Sequence, residues 1–137
     1  MSGLVVCALV LAAASVFGVW QRKNGGRLKV RDRDAGTRLS PADLGAELGR
    51  RATLVQFSSA FCQPCRATRR TLADVAGMID GVTHVEIDAE ERLTLVRELG
   101  ILKTPTVLVL DSTGQIVTRA AGQPRKADVI NALGRAV

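Results

Sequence analysis

The sequence predicts an α/β domain with a mixed central sheet, carried behind one N-terminal apolar helix. Three observations lead there. An uncharged run, Leu4 to Trp20, opens the chain. From Ser40 onward, short apolar strands alternate with amphipathic helical stretches and close on a hairpin and a helix. Two of the three cysteines stand as Cys62-Gln63-Pro64-Cys65, where a strand runs into a helix.

With 137 residues and one non-globular segment, the chain holds a single small domain. Its net charge of +6 invites a nucleic-acid reading until the charges are located. Gln21 to Arg38 carries seven Lys/Arg (Arg22, Lys23, Arg27, Lys29, Arg31, Arg33, Arg38) against Asp32 and Asp34. Residues 39–137 hold twelve bases and eleven acids, so the basicity belongs to a connector. No nucleic-acid partner is therefore expected.

As a helix, Leu4–Trp20 covers about 25 Å, the short end of a bilayer span. A cleavable signal peptide is the competing reading, encouraged by Ala12-Ala13-Ala14. Signal peptides carry positive charge before the apolar core, and here only Met1, Ser2 and Gly3 precede it. Arg22 and Lys23 follow the run, which places that flank and the domain on the cytoplasmic side, with Trp20 at the inner interface. The expected organisation is a single-pass membrane anchor over residues 1–20, a basic flexible linker over 21–38 and a domain over 39–137. An extracytoplasmic domain is the alternative. Cys7 falls inside the span and reads as a lipid-facing side chain. The linker is Gly-, Arg- and Asp-rich without apolar period; it reads either as a solvated tether or as one clinging to anionic headgroups.

Ser40-Pro41-Ala42-Asp43 has the N-cap, first-turn proline and acidic first turn of a short helix, with Leu44 and Leu48 on one face and Gly49-Arg50-Arg51 ending it. Thr53–Phe57 reads as a buried strand. Cys65 to about Gly77 reads as a helix, with Leu72, Val75 and Ala76 inward and Arg66, Arg69 and Arg70 outward. The three arginines suit a solvated face, an acidic partner or support for a thiolate. Val82–Asp88 is a second strand, with Val85 and Ile87 on one face. Glu90–Leu99 is a helix with Leu93, Val96 and Leu99 apolar. Thr106–Leu110 is a third strand, Asp111-Ser112-Thr113-Gly114 turns it into Gln115–Ala120, and a helix from Pro124 or Lys126 closes on Val129, Ile130 and Leu133. The helix-linked first two strands should be parallel, and the last two antiparallel.

A Cys-x-x-Cys pair at a strand-to-helix junction suits dithiol chemistry. Cys62 at the helix N-terminus meets orphan N–H groups and the positive end of the dipole, which favour a thiolate. Cys65, one turn on, is near enough to close a disulfide and should be more buried. Cys62 would attack a substrate disulfide and Cys65 would resolve the mixed disulfide. Pro64 stiffens the turn between them. The same spacing also suits a metal, but four Cys/His ligands are wanted and the domain offers Cys62, Cys65 and His84. No metal site is expected. A merely structural disulfide is a further alternative, and so short a loop stabilises little.

Phe61-Cys62-Gln63-Pro64-Cys65-Arg66, Val85-Glu86-Ile87-Asp88, Leu99-Gly100-Ile101-Leu102-Lys103-Thr104-Pro105-Thr106 and Gly122 together resemble the thioredoxin family over residues 40–137. The resemblance implies a thioredoxin-like three-layer α/β/α sandwich with a mixed central sheet. It makes Pro105 a cis-proline facing the disulfide, Thr104 the residue whose backbone receives the substrate chain, and Gly122 the glycine that admits it closely. Phe61 stands where the family usually has Trp, and Gln63 where it has Gly. Gln56 replaces the family's buried acid and His84 that acid's lysine partner. A neutral Gln56 accepts no proton, so His84 is either a substitute base or a partly exposed strand histidine. The family's helix-kinking proline is replaced around Arg70, so a straighter helix is expected.

These readings converge on a membrane-tethered thiol–disulfide oxidoreductase. Cys62 and Cys65 are catalytic, Phe61, Gln63, Pro64, Gln56, His84 and Pro105 support the site, and Thr104, Pro105 and Gly122 bind substrate. Its only cofactor is the redox-active Cys62–Cys65 disulfide. Its partners are protein disulfides or dithiols, an upstream electron donor and the membrane through residues 4–20, and the chain is expected to be a monomer. The rival is a non-catalytic peptide-binding or metal-delivery module on the same scaffold.

Overall fold

The computed structural model describes residues 1–24, 28–29 and 34–137. The elements run α1 (Ser2–Asn24), β1 (Leu28–Lys29), α2 (Pro41–Leu44), β2 (Ala52–Ser58), α3 (Gln63–Met78), β3 (Val82–Asp88), α4 (Leu93–Leu99), β4 (Thr106–Asp111), β5 (Ile116–Ala121) and α5 (Lys126–Ala136). The sheet order is β1-β5-β4-β2-β3. β2 and β3 are parallel, and the remaining pairs are antiparallel. The expected mixed sheet is present, with β2 at its centre between β3 and β4.

Every residue of β2 is buried, because both faces of this strand are covered. On one face Val55, Phe57, Val85, Ile87, Leu108 and Leu110 pack with Leu95 and Leu99 of α4. On the other, Leu54, Val107 and Val109 pack with Leu72 and Val75 of α3 and Val129 and Leu133 of α5. Each fully buried Leu, Val or Phe removes enough apolar surface to contribute about 1.5–3 kcal/mol. This is the three-layer α/β/α sandwich.

Several elements differ in extent from their sequence patterns. α2 stops at Leu44 instead of running to Leu48, because Gly45 adopts φ 68° and donates its N–H to the Pro41 carbonyl. Its start follows expectation: Ser40 and Asp43 cap each other reciprocally. α4 begins at Leu93 and not at Glu90, since the Asp88 carboxylate accepts the Glu90 N–H and holds a turn there. Leu95 then faces the core and Leu93 points outward. In α5, Ala132 takes the inward place expected of Ile130, which is exposed.

The segment expected to be a free linker over 21–38 is tied to the domain in three places. Its residues 25–27 and 30–33 lie outside the described residues. Leu28 pairs with Ala120 and Lys29 with Arg119, adding an edge strand, and Arg38 bridges to Gln115. Asp34 is buried and makes a two-pronged ion pair with Arg119 at 2.9 and 2.6 Å. A charged segment without apolar period gave no sign of this, because the anchoring contact is ionic. α1 extends past residue 20 to Asn24, and its stretch Ser2–Lys23 is long and apolar enough to cross a membrane, a test that an N-terminal signal sequence also meets.

Candidate active site

β2 ends at Ser58, and the chain turns through Ser59, Ala60 and Phe61 into α3. Cys62 is the N-cap of α3, and its Sγ accepts the Cys65 backbone N–H at 3.2 Å. The two cysteines are bridged, with Cα atoms 5.2 Å apart. Access separates them: Cys65 is 1% exposed, whereas Cys62 is half-buried. One of the orphan N–H groups of the first turn is thus aimed at the more accessible sulfur, where it would strengthen toward a thiolate.

Gln63 and Pro64 are exposed in the first turn, and a proline there removes no helical hydrogen bond. Phe61 is fully exposed with φ 60°, a left-handed conformation that is sterically unfavourable for a residue with a Cβ. Its ring lies fully in solvent at the residue before Cys62.

The Thr104–Pro105 peptide bond is cis. Thr104 Oγ1 shares a 2.7 Å hydrogen bond with Ser59 Oγ, which ties the cis-proline loop to the turn before the first cysteine. Gly122, at φ 110°, donates its N–H to the Pro105 carbonyl at 2.8 Å. Pro64, which lies between the two cysteines, lines one groove of about 590 Å³ with Thr104, Pro105 and Gly122. The backbone N–H and C=O of Thr104 have no hydrogen-bond partner among the described residues, which leaves them open to an added strand.

Behind the disulfide, Gln56 is wholly buried and all its polar atoms are used. Nε2 donates to the Cys65 carbonyl at 2.8 Å and to Ser58 Oγ at 2.9 Å, while Oε1 meets His84 Nε2 at 3.1 Å. The Cys65 carbonyl can only accept, so this amide orientation is the one that satisfies it. Oε1 in turn requires His84 to present Nε2–H. Burial pushes the His84 imidazole below its ordinary value of 6.5, with Arg69 acting in the same direction and Glu86 opposing. His84 therefore donates toward the site from one residue behind it, and the substitute-base reading is not supported by this geometry.

The network continues outward. Ser58 Oγ donates to Glu86 at 3.2 Å, and Glu86 pairs with Arg69 at 2.9 Å. Of the three α3 arginines, Arg69 is thus committed to a neighbouring strand. Ser58, Ser59 and Glu86 carry no site role in the sequence reading. Ser59 adjoins the motif, but its partner Thr104 lies 45 residues away, and only the fold reveals the pair.

The thioredoxin family profile matches residues 40–135. A Ricinus communis thioredoxin H-type is 30% identical over 69 residues, covering 50% of this chain and 58% of that protein. A Griffithsia pacifica thioredoxin is 29% identical over 85 residues, covering 61% and 77%. Among solved structures, chloroplastic thioredoxin z superposes with a TM-score of 0.57 at 27% identity, covering 64% of this chain and 79% of that one. An N21Q thioredoxin from Halobacterium salinarum superposes at 0.58 and 18% identity, covering 64% and 75%, a likeness of fold alone.

Proposed function

Because the chain belongs to the thioredoxin family, we propose that it is a membrane-tethered thiol–disulfide oxidoreductase acting on protein substrates. The observation that carries this is the asymmetry of the pair: a half-buried Cys62 at a helix N-terminus and a fully buried Cys65 one turn behind it. In the reduced enzyme the Cys62 thiolate attacks one sulfur of a substrate disulfide, breaking that bond and releasing a substrate thiolate that takes up a proton. Cys65 then loses its proton and attacks Cys62 Sγ in the mixed disulfide, expelling the second substrate thiolate, which is protonated in turn. Two electrons pass to the substrate, and the Cys62–Cys65 disulfide remains. No carboxylate takes the Cys65 proton at position 56. Gln56 instead holds the Cys65 carbonyl, so the proton leaves with solvent or the departing thiolate.

The groove past Thr104 and Gly122 would seat the substrate chain as an added strand, with Phe61 against its apolar side chains. α1 serves as the anchor, and Arg22 and Lys23 in its last turn favour a cytoplasmic domain. A reporter fused at Val137 tests that topology; activity of a reporter that works only outside the cytoplasm would reverse it.

The chemistry is tested with the full chain in neutral detergent. Wild type should reduce a protein disulfide such as that of insulin, Cys62→Ser should lose this, and Cys65→Ser should accumulate a mixed disulfide. Retention of reduction by Cys62→Ser would sink the mechanism.

A further inference from the structure

Beyond the cysteines, the groove lined by Pro64 and Pro105 has a charge character of its own. Three of the chain's four prolines, Pro64, Pro105 and Pro124, line it together with Thr71, Thr104, Gly122 and Gln123. Its rim is cationic: Arg22, Lys103, Arg125 and Lys126 line it, and no carboxylate does. All four cations are exposed, and none has an ion-pair partner among the described residues. They come from three separate parts of the fold: the last turn of α1, the loop before Pro105 and the start of α5.

The charge is local. Residues 39–137 are nearly neutral, with twelve bases and eleven acids. Two cations elsewhere are paired, Arg69 with Glu86 and Arg119 with Asp34. Arg125 and Lys126 also sit at the N-terminal end of α5, where the helix dipole disfavours positive charge. Helix stability is therefore not a reason for these residues to be basic.

We infer that the groove selects protein substrates whose extended segment carries Asp or Glu next to the target cysteine. This rests on the oxidoreductase reading and adds a substrate class to it. A segment added along the Thr104 backbone, with its cysteine at Cys62, runs its neighbouring side chains past the cations that line the groove. The rigid proline walls offer no N–H donors, so side-chain discrimination there comes from charge and shape. Unpaired rim charges act chiefly on encounter rate, and their effect falls with ionic strength. An anionic lipid headgroup would meet the same charges. The open Thr104 backbone favours a polypeptide, because a headgroup does not add a strand.

The test uses the full chain in neutral phosphatidylcholine nanodiscs and two disulfide peptides that differ only in the three residues flanking the cysteine, Asp-Glu-Asp against Ser-Asn-Ser. The acidic peptide should be reduced about tenfold faster at low salt, with the advantage mostly lost at 0.5 M salt. Lys103→Ser combined with Arg125→Ser and Lys126→Ser should bring the ratio of the two rates close to one. Lys126→Glu should lower the ratio on its own. Equal wild-type rates at low salt, or a ratio unchanged in the triple variant, would overturn the inference. Should neither peptide be reduced, the redox reading fails. Peptide affinity for the oxidised chain, read by fluorescence anisotropy, then decides the charge selectivity in the same way. Anionic nanodiscs provide the remaining arm. Protection of Lys103 and Lys126 from acetylation there, with no preference between peptides in neutral discs, would assign the groove to headgroups and refute the proposal.

Discussion

Gln56 donates its amide Nε2–H to the carbonyl oxygen of Cys65 over 2.8 Å, while the oxygen of the same amide receives Nε2–H from His84. A neutral side chain thereby fills the fully buried position behind the resolving cysteine and satisfies three neighbours at once. The site is organised by an amide that neither gives up nor gains a proton.

Replacing Gln56 by Leu keeps the volume and removes every one of those bonds. The His84 N–H then loses its acceptor, at a cost of about 1–3 kcal/mol, while the Cys65 carbonyl keeps only its helical bond. Urea unfolding of the oxidised chain should show a loss of about 1–3 kcal/mol. A loss below about 0.5 kcal/mol would mean that water or a shifted neighbour replaces the amide.

The lowered His84 titration gives a signed pH dependence. Burial disfavours the charged imidazole in the folded state, so the unfolded chain binds a proton first as pH falls. Stability should therefore be highest where His84 is neutral in both states and should decline as pH drops through the ordinary value of 6.5. His84→Asn removes this contribution, so its stability should change less between pH 7 and about 5.5. A steeper decline in the variant would reverse the sign assigned here.

Asp34 and Arg119 form a buried ion pair between the segment after α1 and β5. Asp34→Ala leaves a guanidinium buried without its partner and should cost about 3–5 kcal/mol. The double variant Asp34→Ala with Arg119→Met should recover much of that loss, since an apolar side chain needs no counter-ion. Thermal or urea unfolding of the three proteins checks this, and a double variant no better than Asp34→Ala would show that the ionic penalty is not the cause.

The Ser59–Thr104 hydroxyl pair links the turn before Cys62 to the cis-proline loop. Ser59→Ala and Thr104→Val should each cost about 0.5–1.5 kcal/mol, and the double variant should cost less than their sum. A double-mutant cycle measures the coupling; strict additivity would show that the bond contributes nothing.

Much of the fold was legible because its signals are local. The Ser40–Asp43 cap, the apolar run of β2, the alternation in β3 and the Asp111–Gly114 turn each announce an element within a few residues. Errors fell where periodicity meets competing local chemistry. Leu48 matched the helical period of Leu44, but Gly45 closes the helix first. Leu93 matched the stripe of α4, yet the Asp88 turn delays the helix start and brings Leu95 inward. The basic stretch before the domain looked free because nothing in its own residues marks Asp34 as the partner of an arginine 85 residues on.

By itself, the sequence determined the apolar first helix, the α/β order, the Cys62-x-x-Cys65 pair at a helix start and the thioredoxin resemblance. These follow from spacing, hydrophobic period and capping residues, which act over single turns of chain. Only the tertiary structure decided that Gln56 bridges Cys65 and His84, and that Arg69 is matched by Glu86. It also decided that Lys103, Arg125 and Lys126 share one groove with Pro105. Those relations depend on which strands lie side by side, and that is settled by burying both faces of one sheet at once.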